Sequence, residues 1–566
     1  MRLAPRSIIW HWPIYLTIML FISCGNDDDG ENPTESNDQS IYSVDLSSAS
    51  EGDQYIITPY ILGDTSTING KLATSAGSYS ISVSGTSLQL MKPKTWLTPS
   101  QNQYDFDHNL RTLLNRFNPN DKASRERTYQ GLKTLEEQYL NLRHTKPNWS
   151  HGFLQLEKTI KATKNRPPRI PLQSSSSCPS TFYTPASDTE YSINDVNVVA
   201  QKNDEDDYCL IYIESTSASE QDSIKVQTSI QTAISTYRTI FDSQFDQSFS
   251  AYQFKPFIVV VDTDDEDYWP ASLVNLSGAF LSELSITHQR PTIFIAANQN
   301  LSGDLTDAAA TASFHSTIAH ELFHAVFHFY RVWVQGNGSG EPDTVSIDEG
   351  LAHLMEDILG YGESNFSTFA GAFLATFIVS SYAVFDETQD VLADVNRGAA
   401  HTFFYYLVSQ KGGITFSNGK PSGGDGLTFL RSIVTGSTSG VAGVEAAYGS
   451  TWKTAFSNYL EALNVNNTTF EETVHDLQTV TAVTNSLGET ANYGMSFTNF
   501  GDLVTLEERL ADESYTSFDP SSLTDISLDY YQAFPYLLTV GSGDSSFIVT
   551  YGEAYTNSGV SVVRVK

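Results

Sequence analysis

Apolar and polar residues alternate along short runs at residues 54–62 and 78–83, separated by Gly, Ser, Thr and Asn. That is the period of half-buried strands, and it predicts a β-rich module over residues 45–98. The period then lengthens. Phe106, Leu110, Leu113, Leu114 and Phe117, then Leu132, Leu135, Tyr139 and Leu142, fall at helical spacing, so 99–165 reads as helical. Between 183 and 465 the pattern is mixed. Strand-like runs at Tyr208–Ile213, Phe257–Val261 and Thr292–Ala297 are interleaved with helical stretches at Gln227–Ile240, Ser313–Val332, Ile347–Leu359, Gly398–Ser409 and Val444–Leu463. Residues 466–566 return to short β runs such as "YLLTV", "SFIVTY" and "VSVVRV". The pattern as a whole predicts an α+β chain with a mixed central domain flanked by β-rich accessory modules.

Composition narrows this. At roughly 150 residues per domain, 566 residues make about three to four folded units. Lys and Arg total 32 against 66 Asp and Glu, a net charge of -34 that repels phosphate backbones and excludes nucleic acid as a partner. One segment goes against this balance: from His108 to Arg169 there are 13 Lys or Arg and 5 Asp or Glu. It runs into a Pro- and Ser-rich linker at 166–182, a natural site for proteolytic nicking. Two readings stay open: a removable pro-segment over 45–165, or a permanent accessory domain with a basic face.

The N-terminus carries Arg2 and Arg6, then an apolar stretch from Ile8 to Ile22 that is short for a membrane span. It reads as a signal peptide over 1–24. Its end, Phe21-Ile22-Ser23-Cys24-Gly25, resembles the lipobox of bacterial lipoproteins, with Phe21 in place of the usual Leu. The resemblance implies lipidation of Cys24 and a membrane anchor at the bacterial outer membrane or cell surface; an ordinary cleaved signal is the alternative. Residues 25–44 are acidic and polar, a flexible tether. Cys178 and Cys209 form one disulfide or remain two buried thiols.

The chemistry concentrates in one window. Of twelve histidines, six (His315, His320, His324, His328, His353 and His401) fall within 87 residues. Among them stands His320-Glu321-Leu322-Phe323-His324. On a helix the two histidines lie on one face about 6 Å apart along the axis, the spacing that grips one tetrahedral zinc ion. Glu321 is angled to reach a zinc-bound water rather than the metal. His328 continues the series but lies about 12 Å along the axis from His320, too far to share the ion, and reads as structural. Glu349, near the start of the amphipathic stretch "IDEGLAHLMED", can complete the ligand set, with Gly350 letting that helix approach the first.

"HELFH" followed by "DEGLAHLMED" resembles the gluzincin group of zinc peptidases, most like the hyicolysin-type neutral metallopeptidases of bacteria. "RGAAHTFFYYLVSQKGG" and "VEAAYGSTWKTAFSNYLEAL" resemble the helical lobe of such enzymes. The resemblance implies a zincin-like domain over 183–465, with a mixed-sheet upper lobe and a helical lower lobe. It implies Zn2+ held by His320, His324 and Glu349, with Glu321 as the catalytic base and polypeptides as substrates. The spacer from His324 to Glu349 is long, at 24 residues, and His353 stands where many gluzincins have a carboxylate holding a ligand histidine. Asp348 or Glu356 can take that role.

In the expected reaction Glu321 takes a proton from the zinc-bound water and hands it to the leaving amine, while a donor steadies the oxyanion. Tyr405, Tyr406, His401 and His353 are the candidate donors. In zincins substrate lies along the edge strand before the active-site helix; Pro291–Asn298 is placed to be that strand, with an internal strand as the alternative. The run Asp262–Asp267 lacks the glycine turn of a calcium loop and reads as a solvated loop. Two other functions are compatible with the motif: an inactive surface lipoprotein acting as adhesin or binding scaffold, and a zinc amidase acting on cell-wall peptide.

Overall fold

The run Phe257-Ile258-Val259-Val260-Val261 has no polar position to offer solvent, and it occupies the middle of a five-stranded sheet, buried on both faces. The structure is a computed structural model. It describes residues 41–45, 49–62, 77–84, 89–93, 181–184, 187–192, 201–202, 208–212, 220–247, 255–261, 278–281, 284–285, 288, 290–296, 308–334, 345–362, 369–370, 373–374, 382–383, 393–465, 473–485, 488–495, 497, 515–518, 526–528, 532–533, 536–540, 546–551 and 558–565. The strands of the central sheet are β1 (Gln201–Lys202), β2 (Cys209–Tyr212), β3 (Phe257–Val261), β4 (Gly278–Phe280) and β5 (Thr292–Ala296). Their order in space is β4-β5-β3-β2-β1. β2, β3 and β5 run parallel, and β1 and β4 pair antiparallel at the two ends.

This order corrects the expected substrate edge. β5, the strand anticipated at 291–298, is internal, with β3 on one side and β4 on the other. Its uninterrupted apolar sequence suits an interior position. Among the described residues the end of the sheet belongs to the three-residue β4.

The described residues form seven helices beside the sheet strands: α1 (Glu220–Gln247), α2 (Ala308–His328), α3 (Val345–Ile358), α4 (Ala393–Gln410), α5 (Asp425–Thr435), α6 (Gly440–Tyr448) and α7 (Trp452–Val465). One apolar core joins Leu210, Ile258, Val260, Ile293 and Ile295 of the sheet to the buried faces of these helices. α2 continues into a π-helical turn, Phe329–Val334. From that turn Arg331 donates to the carbonyls of Ile433 (2.7 Å), Gly436 (2.6 Å) and Thr438 (3.0 Å), satisfying the open end of α5. The single helix expected over 444–463 is two, because Gly449 ends α6 and the Glu445 carboxylate accepts the Trp452 N–H (2.6 Å) at the start of α7.

The two β-rich ends are not separate modules. Ile41–Asp45 and Gly77–Ser84 both pair with Ser546–Tyr551. Gln54–Ile61 pairs with Tyr536–Thr539 and with Ser558–Arg564, and Gln89–Pro93 with Tyr515–Phe518 and Tyr536–Thr539. The shared strands rest on α7, where Val465 packs with Ile56, Leu537 and Val563. The chain is therefore a mixed helix-and-sheet protein whose ends are built together.

The signal segment with Cys24, residues 25–40 of the expected tether, the helices expected over 99–165, most of the linker 166–182, Cys178 and the run Asp262–Asp267 lie outside the described residues. The tether expected over 25–44 is corrected at its end, where Ile41–Asp45 is a strand paired with Ser546–Tyr551. Cys209 is disulfide-bonded. Among the described residues no helix is long and apolar enough to cross a membrane.

Shared strands set the outcome of linker cleavage. Tryptic cuts at Lys164 or Arg169 are expected to give two fragments that co-elute in size exclusion and part only in denaturant. Release of the N-terminal fragment in native buffer would contradict the shared sheets.

Candidate metal centre

α2 buries Ile318, Ala319, Leu322, Ala325 and Val326 in the core, and this fixes its rotation. His320 and His324 then emerge one turn apart on the side of α3, with ring centroids 4.6 Å apart. α3 buries Ile347, Leu351, Leu354, Met355 and Ile358 at helical spacing and presents Asp348, Glu349, His353 and Glu356 to the histidines. Its close approach is to α4 rather than to α2, contrary to the expectation from Gly350. A Cβ on Gly350 would lie 2.8 Å from the Phe404 ring and 3.0 Å from Ala400.

Three ligand side chains meet. His320 Nε2 is 2.9 Å from His324 Nε2 and 3.2 Å from Glu349 Oε2, and His324 Nε2 is 3.8 Å from Glu349 Oε1. Donor atoms of one tetrahedral zinc ion stand roughly 3.4 Å apart, so these spacings bracket the requirement. Each ring is fixed from behind. His320 Nδ1 lies 2.7 Å from Glu356 Oε1, and His324 Nδ1 lies 2.8 Å from Asp348 Oδ1. Ser316 donates to Glu356 Oε2, and His353 Nδ1 lies 2.8 Å from Oε1.

These contacts set the protonation states. Ionised carboxylates only accept, so both Nδ1 atoms carry hydrogen, and the two Nε2 atoms are left facing each other. A shared proton would satisfy the two nitrogens but leave Glu349 Oε2, which is buried, with no hydrogen bond. A divalent cation satisfies all three atoms at once. The buried group His320, His324 and Glu349 therefore fits a metal ion. His320, His353 and Glu356 also cluster, but there the Glu356 oxygen is taken by two imidazole N–H groups and acts as the support of the site.

Electrostatics agree with a positive charge at this point. Burial opposes protonation of His320, yet Glu349 and Glu356 hold its pKa well above the imidazole range. For His324 burial is likewise outweighed, chiefly by Asp348, and the pKa is raised. Glu349 is pulled well below the carboxylate range despite burial, by Arg397 first and then the two histidines. Glu356 is also held low against burial, by His353 and His320. Glu321 behaves oppositely. Its pKa is raised because burial outweighs the lowering by His320 and His324 and by a hydrogen bond from the Phe280 main chain.

Glu321 faces the sheet end. A Cβ on Gly278 of β4 would lie 2.6 Å from Thr317 Cγ2, 2.9 Å from Glu321 Cγ and 3.2 Å from Glu321 Oε1, so only glycine permits this contact. Glu321 Oε2 is buried without a hydrogen bond, one residue from a ligand.

Three of the expected oxyanion donors are committed elsewhere. Tyr405 donates to the Gln478 carbonyl (2.9 Å) and accepts the Met495 N–H, and Tyr406 donates to the Val474 carbonyl (2.9 Å). His401 is fully buried and bonds Asp357. The fourth, His353, stands beside the ligands, its Nε2 3.9 Å from Glu349 Oε2, but it is enclosed and bonded to Glu356. Burial pushes its pKa down to about 4. His328 packs against Phe280 at 5.0 Å, and burial lowers its pKa to about 4, consistent with a structural role.

Sequence reasoning missed Ser316, Gly278 and Arg397. Ser316 is one turn before His320 on the same helix and was readable by spacing. Nothing in the sequence pattern joins Gly278 or Arg397 to the motif. No protein-family model matches the chain, and neither does any curated protein.

The carboxylates behind the rings set the metal affinity. Glu356→Gln and Asp348→Asn are each expected to weaken divalent-metal binding about 10- to 100-fold in chelator competition. Tyr405→Phe should leave metal affinity unchanged and cost on the order of 1 kcal/mol of stability in denaturant titration. Full metal affinity in Glu356→Gln would show that this carboxylate does not orient His320.

Proposed function

We propose that the chain is a zinc-dependent endopeptidase of zincin type, with residues 183–465 as its catalytic domain. It acts on polypeptides outside the cytoplasm and is tethered at the bacterial surface through lipidated Cys24. The observation that carries the reading is Glu321: a buried carboxylate next to a ligand histidine, lodged between the ligand cluster and the last strand of the sheet.

Two imidazoles and one carboxylate are the donor set of a catalytic zinc site with an open position. His320, His324 and Glu349 hold the ion, and Glu356 and Asp348 keep both rings in the ligating tautomer. Zinc bound there supplies Lewis acidity toward a peptide carbonyl and acidifies an attacking water. Glu321 takes that water's proton and passes it to the leaving amine.

β4 aligns the substrate. It is the terminal strand of its sheet among the described residues, so an extended polypeptide can add alongside it by main-chain hydrogen bonds. A chain bound there passes Glu321, because Gly278 touches that side chain.

Casein cleavage by the zinc-loaded protein tests the reading. Wild type is expected to cleave, to stop with chelator and to recover with zinc. Glu321→Gln should keep its metal and lose about 100- to 10,000-fold in rate. Gly278→Ala, which drives a methyl group into Thr317 and Glu321, should lose roughly 100-fold. Undiminished cleavage by Glu321→Gln, or none by metal-replete wild type, would refute it.

A further inference from the structure

Peptide hydrolysis through a tetrahedral oxyanion requires a donor aimed at the oxygen that gains charge. With Tyr405, Tyr406 and His401 bonded into the interior and His353 enclosed, the expected donors do not meet that requirement. Another cationic side chain stands at the cluster. Arg397, on α4, brings its Nε to 3.8 Å from Glu349 Oε2, longer than a hydrogen bond and close enough for strong attraction. Its side chain is 38% exposed whereas that of Glu349 is 9% exposed, so a substrate can reach it where it cannot reach the enclosed candidates.

The placement suits the chemistry. Packing sets the elements in the order β4, α2, α3, α4, with the ligand cluster between α2 and α3. Glu321 flanks the cluster on the β4 side and Arg397 on the α4 side. The guanidinium lies over the Phe369 ring at 6.0 Å, which limits its freedom, and Phe369 in turn packs on His353 at 4.5 Å. A guanidinium is charged at every working pH and offers several N–H donors in a planar fork.

We propose that Arg397 is a catalytic residue, the cationic donor that binds the substrate carbonyl oxygen as it becomes an oxyanion. This rests on the peptidase reading. Water loses a proton to Glu321 while its oxygen bonds to the carbonyl carbon, and the carbonyl π pair moves onto the oxygen held by Arg397. As the C–N bond breaks, that pair returns to re-form the carbonyl, and the amine leaves with the proton from Glu321. The competing role for Arg397 is to pin Glu349 in place, which would act on metal affinity instead.

The two roles separate in the full-length protein. Arg397→Met and Arg397→Lys are compared with wild type in three measurements: zinc affinity, inorganic phosphate affinity, and turnover. Phosphate serves as a tetrahedral anion and is titrated into cobalt-substituted protein by its visible spectrum. Turnover uses a fluorogenic peptide drawn from a mapped casein cleavage site. For Arg397→Met we expect phosphate affinity to fall about tenfold and kcat about 100-fold, with KM and zinc affinity within about threefold of wild type. Lysine, retaining charge without the fork, should restore part of both losses. A zinc affinity that drops at least about tenfold, with kcat recovered at saturating zinc, overturns the proposal and leaves Arg397 as a positioning residue for Glu349. Active wild type with an indistinguishable Arg397→Met overturns the proposal alone; metal-loaded wild type that cleaves nothing overturns the peptidase reading with it.

Discussion

Two imidazole nitrogens facing each other at 2.9 Å, with hydrogens fixed on their far sides, repel unless something positive lies between them. The middle of this protein is organised around that constraint. Glu356 and Asp348 set the tautomers, and Glu349 brings a carboxylate oxygen to the same point. Burial sharpens the demand, because an unpaired buried polar group costs about 1–3 kcal/mol and a charge costs more.

The fold delivers these groups through ordinary packing. The sheet buries one side of α2 and so sets the direction of His320 and His324. α3 is held by its apolar stripe, by contact of Gly350 with Ala400 and Phe404, and by the enclosed Asp357–His401 pair. Leaving one member of such a buried hydrogen bond unsatisfied costs about 1–3 kcal/mol, so His401 is important to the site through the placement of α3 rather than through contact with a reactant. The interleaved β ends lie against α7.

What the sequence made legible was local. The spacing of His320 and His324, the neighbouring Glu321 and the helix around Glu349 all follow from the 3.6-residue period, and the structure brings these side chains together. The β3 run was readable for the same reason, since five consecutive apolar residues leave little choice. What escaped was non-local. The partners of Gln54–Ile61 lie about five hundred residues further on, and alternation says that a strand is half-buried without saying what it pairs with. The edge position passed from β5 to β4 because three residues, Gly-Ala-Phe, carry no periodic signal. Tyr405 and Tyr406 looked available for catalysis, but their hydroxyls satisfy carbonyls brought in from residues 474–478. Arg397 escaped because nothing in its own neighbourhood marks it as the companion of Glu349.

X-ray absorption at the zinc edge of the purified, unsupplemented protein addresses the central claim most directly. The account predicts one zinc per chain with two imidazole and two oxygen neighbours at about 2.0–2.1 Å, and a visible change in that shell when Glu349 is replaced by Ala. A metal-free protein, or a zinc shell that contains sulfur or does not change in Glu349→Ala, would contradict it.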